Sequence, residues 1–168
     1  MAVATDGQGA PGLWYTFRVD ASYDLKRNVT GIGIVVSTRV KPKKSRPGLT
    51  LTELAEAYVG IPPDMCEKFA IFRALELAAG QGARLVQVCS DDNQLRRALK
   101  QDLEAGTGLE RVDLHGEILR LAAALDQVKF PWFRRRRNVE AHRLSRVAVR
   151  DVPPKERNDI VWHQESCS

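Results

Sequence analysis

Residues 14–20, Trp14-Tyr15-Thr16-Phe17-Arg18-Val19-Asp20, and residues 85–91, Leu85-Val86-Gln87-Val88-Cys89-Ser90-Asp91, decide the fold of this chain. Both runs are apolar, rich in β-branched and aromatic residues, and roughly alternating, which predicts two strands. Each run closes on an aspartate. A carboxylate is poor core material, because burying it unpaired is costly. At a strand end in an α/β sheet it faces the crevice where ligands sit. A hydrolytic metalloenzyme is therefore the first function to test.

Outward from these runs, residues 1–12 are small and Gly-rich, with Pro11, and are expected to be disordered. Strand 1 is predicted from about Leu13 to Tyr23 and strand 2 from about Gly31 to Val40, where Ile32, Ile34 and Val36 alternate with Gly33 and Val35. A basic loop with Pro42 and Pro47 follows. Strand 3 is placed at Leu49 to Val59 although Glu53 to Ala57 is helix-prone, because Pro62, Pro63 and a capping Asp64 reset the chain just after it. A helix runs from Asp64 to about Gly80 and Gly82, and strand 4 carries Asp91. The next helix aligns Leu95, Leu99 and Leu103. After Gly106 and Gly108, a further helix buries Leu109, Val112, Ile118, Leu121, Ala122 and Leu125. Strand 5 spans Val128 to Phe133 and the last helix about Val139 to Val149. Pro153-Pro154 ends a 13–150 domain, leaving a polar tail over 151–168. The order is β-β-β-α-β-α-α-β-α. It predicts an α/β fold with a five-stranded mixed sheet flanked by helices. The three leading strands are antiparallel and the later ones parallel through crossovers.

The length suits one domain with a real core, and no apolar stretch approaches the ~18 residues of a membrane span. The N-terminus lacks a basic segment followed by an apolar one, so the cytoplasm is the expected compartment and no membrane partner is expected. Cys66 and Cys89 read as small core residues, and with Cys167 they offer no zinc-ligand spacing. The net charge is +5 and the excess is clustered. Lys41, Lys43, Lys44 and Arg46 crowd one loop, and Arg134, Arg135, Arg136 and Arg137 form an unbroken run. Such clusters suggest a polyanionic partner, most simply nucleic acid.

Glu67 shares a helical face with Ile71, Ala74 and Ala78, while Arg73 and Glu76 lie opposite. A glutamate on the core-facing stripe must find a cation or a proton. Asp91 or Asp92 could instead cap the following helix, and one can cap while the other binds metal. Trp132 could stack on a sugar or base, although its place in strand 5 favours the core. His115 and His163 lack context and are expected at the surface.

The segment Trp132 to Ser145 completes a pattern that resembles type 1 ribonuclease H and its nuclease superfamily over residues 14–149. In that family an Asp-Gly-Ser follows strand 1, and Asp20-Ala21-Ser22 stands in its place, before Gly31 to Val35. The family's first-helix Glu, ahead of an Ala/Leu-rich run, matches Glu67. Its Asp after strand 4 matches Ser90-Asp91. Its closing Arg, Asn, Ala-Asp and Leu-Ala match Arg135, Asn138, Ala141-His142 and Leu144-Ser145. The resemblance implies a two-metal endonuclease acting on the RNA strand of RNA/DNA hybrids. Two Mg²⁺ ions, with Mn²⁺ as a substitute, would sit on Asp20, Glu67 and Asp91, with His142 as a late ligand or proton shuttle. Ser22, Lys43, Lys44, Arg134 to Arg137 and Asn138 would contact the nucleic acid, and a monomer is favoured. The chain departs from the family at His142, where an acid is usual, at Ala21, and at Pro62, Pro63 and Asp64, where polar residues that contact RNA are usual. Two alternatives share the fold: a nucleic-acid-binding domain without activity, and a related DNA nuclease.

Overall fold

The computed structural model describes residues 12–40 and 49–164. Three strands, β1 (Trp14–Asp24), β2 (Val29–Arg39) and β3 (Leu49–Val59), form an antiparallel meander. β4 (Leu85–Cys89) lies parallel to β1, and β5 (Gln127–Lys129) lies parallel to β4. A short sixth strand, β6 (Lys155–Glu156), pairs in parallel with the end of β3. The sheet order is β5-β4-β1-β2-β3-β6. The expected mixed α/β architecture is present, with six strands in place of five. β6 follows Pro153-Pro154 and has too few residues to show an alternating pattern.

Among the described residues four α-helices accompany the sheet: α1 (Cys66–Gly80), α2 (Asn93–Ala105), which packs on α3 (Leu114–Ala123), and α4 (Val139–Asp151). Phe17 and Val19 of β1 and Ile32, Ile34 and Val36 of β2 point to one face, where Phe69, Ile71 and Leu75 of α1 and Ile118 and Leu119 of α3 complete the main core. The opposite residues of β2 face α4, with Val35 packed on Ala141 and Leu144. β2 is covered on both sides, which explains its unbroken apolar run. Glycine makes the α4 side possible. A Cβ at Gly33 would collide with the Ala141 carbonyl, and one at Gly31 with the Ser145 carbonyl, so α4 lies directly on the strand backbone.

Several local expectations change. Asp64 does not cap α1; it sits in a single 3-10 turn, Pro63–Met65, and its carboxylate accepts from His163 Nε2 at 3.0 Å. Leu109 and Val112 lie outside α3 and are exposed, because Asp113 caps that helix through the Gly116 N–H and starts it later. His115 is buried and bonds Asp102 through Nε2 at 2.7 Å. β5 ends at Lys129 because Pro131 has no N–H for the ladder. Trp132 is then left half-exposed, held by an isolated parallel bridge to Ser90. The tail is not wholly detached: Arg157 pairs with Glu76 at 2.8 Å, and Trp162 meets Phe69 edge to face at 5.7 Å. Among the described residues, no helix is long and apolar enough to cross a membrane.

Candidate active site

Asp20 lies inside β1, opposite Gly33, because that strand runs on to Asp24. It is still placed where two parallel strands part. Parallel pairing of β1 with β4 stops at Arg18 and Cys89, so Asp20 and Asp91 sit just past the point where the two strands part. Alternation turns Asp20 toward α4, away from Val19 and the main core. There its Oδ2 meets His142 Nδ1 at 2.7 Å and accepts from Ser145 Oγ at 3.3 Å. The single Ser145 hydroxyl proton is shared with the His142 carbonyl at 2.8 Å, and Ser22 Oγ donates to Ser145 Oγ at 2.7 Å.

Glu67 enters from the first turn of α1. Its Oε1 accepts the Ala21 N–H at 3.2 Å. Its Oε2 is buried with no hydrogen-bond partner among the described residues. Burial first, and then the charges of Asp20 and Asp91, push the Glu67 carboxyl up to about 9. Asp91 is raised for the same two kinds of reason, burial and then Asp20, and the Arg135 guanidinium partly opposes the rise. Asp92, not Asp91, caps α2: its Oδ1 accepts the Leu95 N–H at 3.0 Å. Asp91 is thereby left free to face Asp20.

One ligand atom from each of Asp20, Glu67 and Asp91 can be chosen so that all three lie within 4.8 Å of one another. Three carboxylates this close repel each other, and one holds an unpartnered buried oxygen. Hard oxygen donors with unmet negative charge suit a divalent cation. These residues therefore fit a metal, and His142, whose imidazole is 35% exposed, flanks them through Asp20.

The other expected site residues divide. Arg134 to Arg137 are all exposed, and the last three form a 3-10 turn ahead of α4. Asn138 is instead buried and donates to the Val19 carbonyl at 2.6 Å, tying the start of α4 to β1. Ser22 is partly buried against Ser145. Lys43 and Lys44, with Lys41 and Arg46, fall outside the described residues. Sequence reasoning gave no role to Ser145, which fixes Asp20. Its place three residues after His142 was visible, but its partner on β1 was not.

A family model described as reverse transcriptase-like matches residues 18–148. No curated protein matches the sequence. Among solved structures, the chain is similar to the N-terminal RNase H domain of a Mycobacterium tuberculosis protein, at 20% identity and a TM-score of 0.63, covering 82% of this chain and 94% of that one. It is similar to RNase H1 of the halophilic archaeon Halobacterium salinarum, at 18% identity and a TM-score of 0.63, covering 82% and 98%. LC11-RNase H1, solved in complex with an RNA/DNA hybrid, aligns at 19% identity and a TM-score of 0.59, covering 80% and 96%.

Proposed function

The chain belongs to the reverse transcriptase-like, ribonuclease H-like family, and from that premise we propose that it is a metal-dependent endonuclease cutting the RNA strand of RNA/DNA hybrids. The observation that carries this reading is the convergence of Asp20, Glu67 and Asp91, with one buried Glu67 oxygen unpartnered. The structural relative solved with an RNA/DNA hybrid supports the choice of substrate.

Asp20, Glu67 and Asp91 would hold Mg²⁺, or Mn²⁺ in its place. When bound, such an ion would supply Lewis-acid polarisation of the phosphate and make the attacking water more acidic. The remaining work belongs to the chain. His142 and Ser145 fix the Asp20 carboxylate through Nδ1 and Oγ. The Ala21 N–H holds one Glu67 oxygen and leaves the other, buried and without a hydrogen-bond partner, for a cation. His142 Nδ1 would donate to Asp20, and in the neutral tautomer that this contact favours Nε2 would be left to accept a proton from the attacking water. Arg134 to Arg137 carry exposed positive charge beside the site and would grip the phosphate backbone.

The test is a labelled RNA/DNA hybrid incubated with Mg²⁺ or Mn²⁺. Asp20→Asn and Asp91→Asn should each abolish cleavage and leave hybrid binding largely intact. Cleavage retained in both variants would sink the assignment. Binding by wild type with no cleavage under either metal would favour a non-catalytic binding domain. Equal cutting of plain duplex DNA would favour a DNA nuclease.

A further inference from the structure

We propose that Trp132, Arg134 and Arg137 form a stacking subsite for an unpaired nucleotide beside the carboxylate cluster, so that hybrids with a single-stranded extension are preferred over blunt ones. The inference rests on the nucleic-acid reading above and adds a substrate class to it.

Trp132 is 50% exposed. Indole joins a large apolar body to a polar N–H, which is why tryptophan is enriched at binding surfaces. The backbone that carries the ring is nevertheless held in place. Its backbone bridges Ser90, the residue before Asp91, and the Phe133 N–H donates to the Ser90 carbonyl at 3.4 Å. Just upstream, Arg96 Nη1 grips the Phe130 carbonyl at 3.1 Å. The ring is therefore carried by the strand end that presents Asp91.

Its surroundings specify the ligand. A depression of about 290 Å³ is lined by Trp132, Arg134 and Arg137. The Arg134 guanidinium lies 5.7 Å from the indole centroid, close enough for a cation–π contact. A flat π-face with the Arg134 guanidinium over it, and Arg137 lining the same depression, offers little to an apolar protein anchor. It matches a nucleotide, whose base stacks while its phosphates take the bidentate donors of arginine. Within a duplex each base is paired and stacked on its neighbours, so the ring and the arginines can take a base together with its own phosphates only where the strand runs on unpaired, in a single-stranded extension.

The experiment measures binding without cleavage, in EDTA. Labelled hybrids, blunt or with a short single-stranded extension on either strand, are titrated against wild type, Trp132→Phe, Trp132→Leu and Trp132→Ala. Base–aromatic stacking of about 1–3 kcal/mol makes the extended hybrid bind roughly 5- to 150-fold tighter. Trp132→Ala and Trp132→Leu should erase that preference, and Trp132→Phe should keep part of it. Leucine preserves apolar bulk, so it carries the test if alanine disturbs the fold. Equal affinity of wild type for blunt and extended hybrids overturns the proposal. So does a preference that survives Trp132→Leu. The two readings fail separately: an extension preference without metal-dependent cleavage removes only the nuclease, and cleavage without the preference removes only the subsite.

Discussion

At residue 67 a carboxylate occupies a position that packing alone would fill with a hydrophobe. Its folded value of about 9 stands above the ordinary 4.5, so the unfolded chain loses this proton first as the pH rises. The metal-free fold therefore loses stability progressively between about pH 4.5 and 9. Glu67→Gln removes that cost. In EDTA at pH 8 it should melt higher than wild type by at least about 2–4 °C, the shift that 1 kcal/mol produces in a domain of this size. The gap should close below pH 4.5, and the variant should be inactive at every pH. Identical melting curves at pH 8 would show that the fold does not hold the Glu67 proton above its ordinary range. His142→Ala should slow cleavage without abolishing it, since three carboxylates and Ser145 remain in place. A single-turnover rate equal to wild type would remove His142 from the reaction. Glu67 was legible in the sequence because a helical wheel alone sets its face. Ser145 was not, because its role depends on how a distant helix meets β1.

Between elements, the decisive contact is α4 on β2. The expected alternation of Ile32, Ile34 and Val36 with Gly33 and Val35 is present, but the pattern shows only that one side of the strand is apolar. The reason for glycine appears once α4 is in position, where the Ala141 and Ser145 carbonyls occupy the space that Cβ atoms would need. Backbone cannot rotate aside as a side chain can. Gly33→Ala should therefore push α4 outward, costing about 1–3 kcal/mol as overpacking does. Because α4 carries His142 and Ser145, the same change should lower the cleavage rate. Unaltered urea midpoint and activity would show that α4 yields without cost. Strand 5 was misjudged for a related reason. Its apolar run continues to Phe133, but Pro131 cannot join the ladder, and the chain leaves the sheet with Trp132 exposed.

Across the whole molecule, charge placement governs the response to acid. Asp113 is buried, accepts from Arg111 at 2.5 Å and 3.1 Å and caps α3 through Gly116. Burial opposes ionisation, but Arg111 and the Gly116 N–H prevail and hold its carboxyl at about 2, below the ordinary 3.8. The stabilisation is complete above the unfolded value and is lost as the pH falls from about 4 toward 2. Asp113→Asn should cost on the order of 2 kcal/mol at pH 7, and the difference from wild type should vanish near pH 2. A constant difference across that range would mean that the cap, not the charge, does the stabilising. At this scale the leading meander and the parallel crossovers were legible from element order. The docked tail was not, because β6 is too short for a pattern, and Ile160 and Trp162 gain their meaning only from the surface they cover.

That tail also orders events in time. The ring of Phe69 is packed partly by Trp162, and Arg157 lies across Phe69 and Phe72. During synthesis α1 emerges long before either of these residues. At about 5–20 residues per second, the ribosome leaves this aromatic face open to water for several seconds. A nascent chain arrested before Arg157 should accordingly be held by chaperones that grip exposed aromatics, and one arrested well beyond Trp162 should be released.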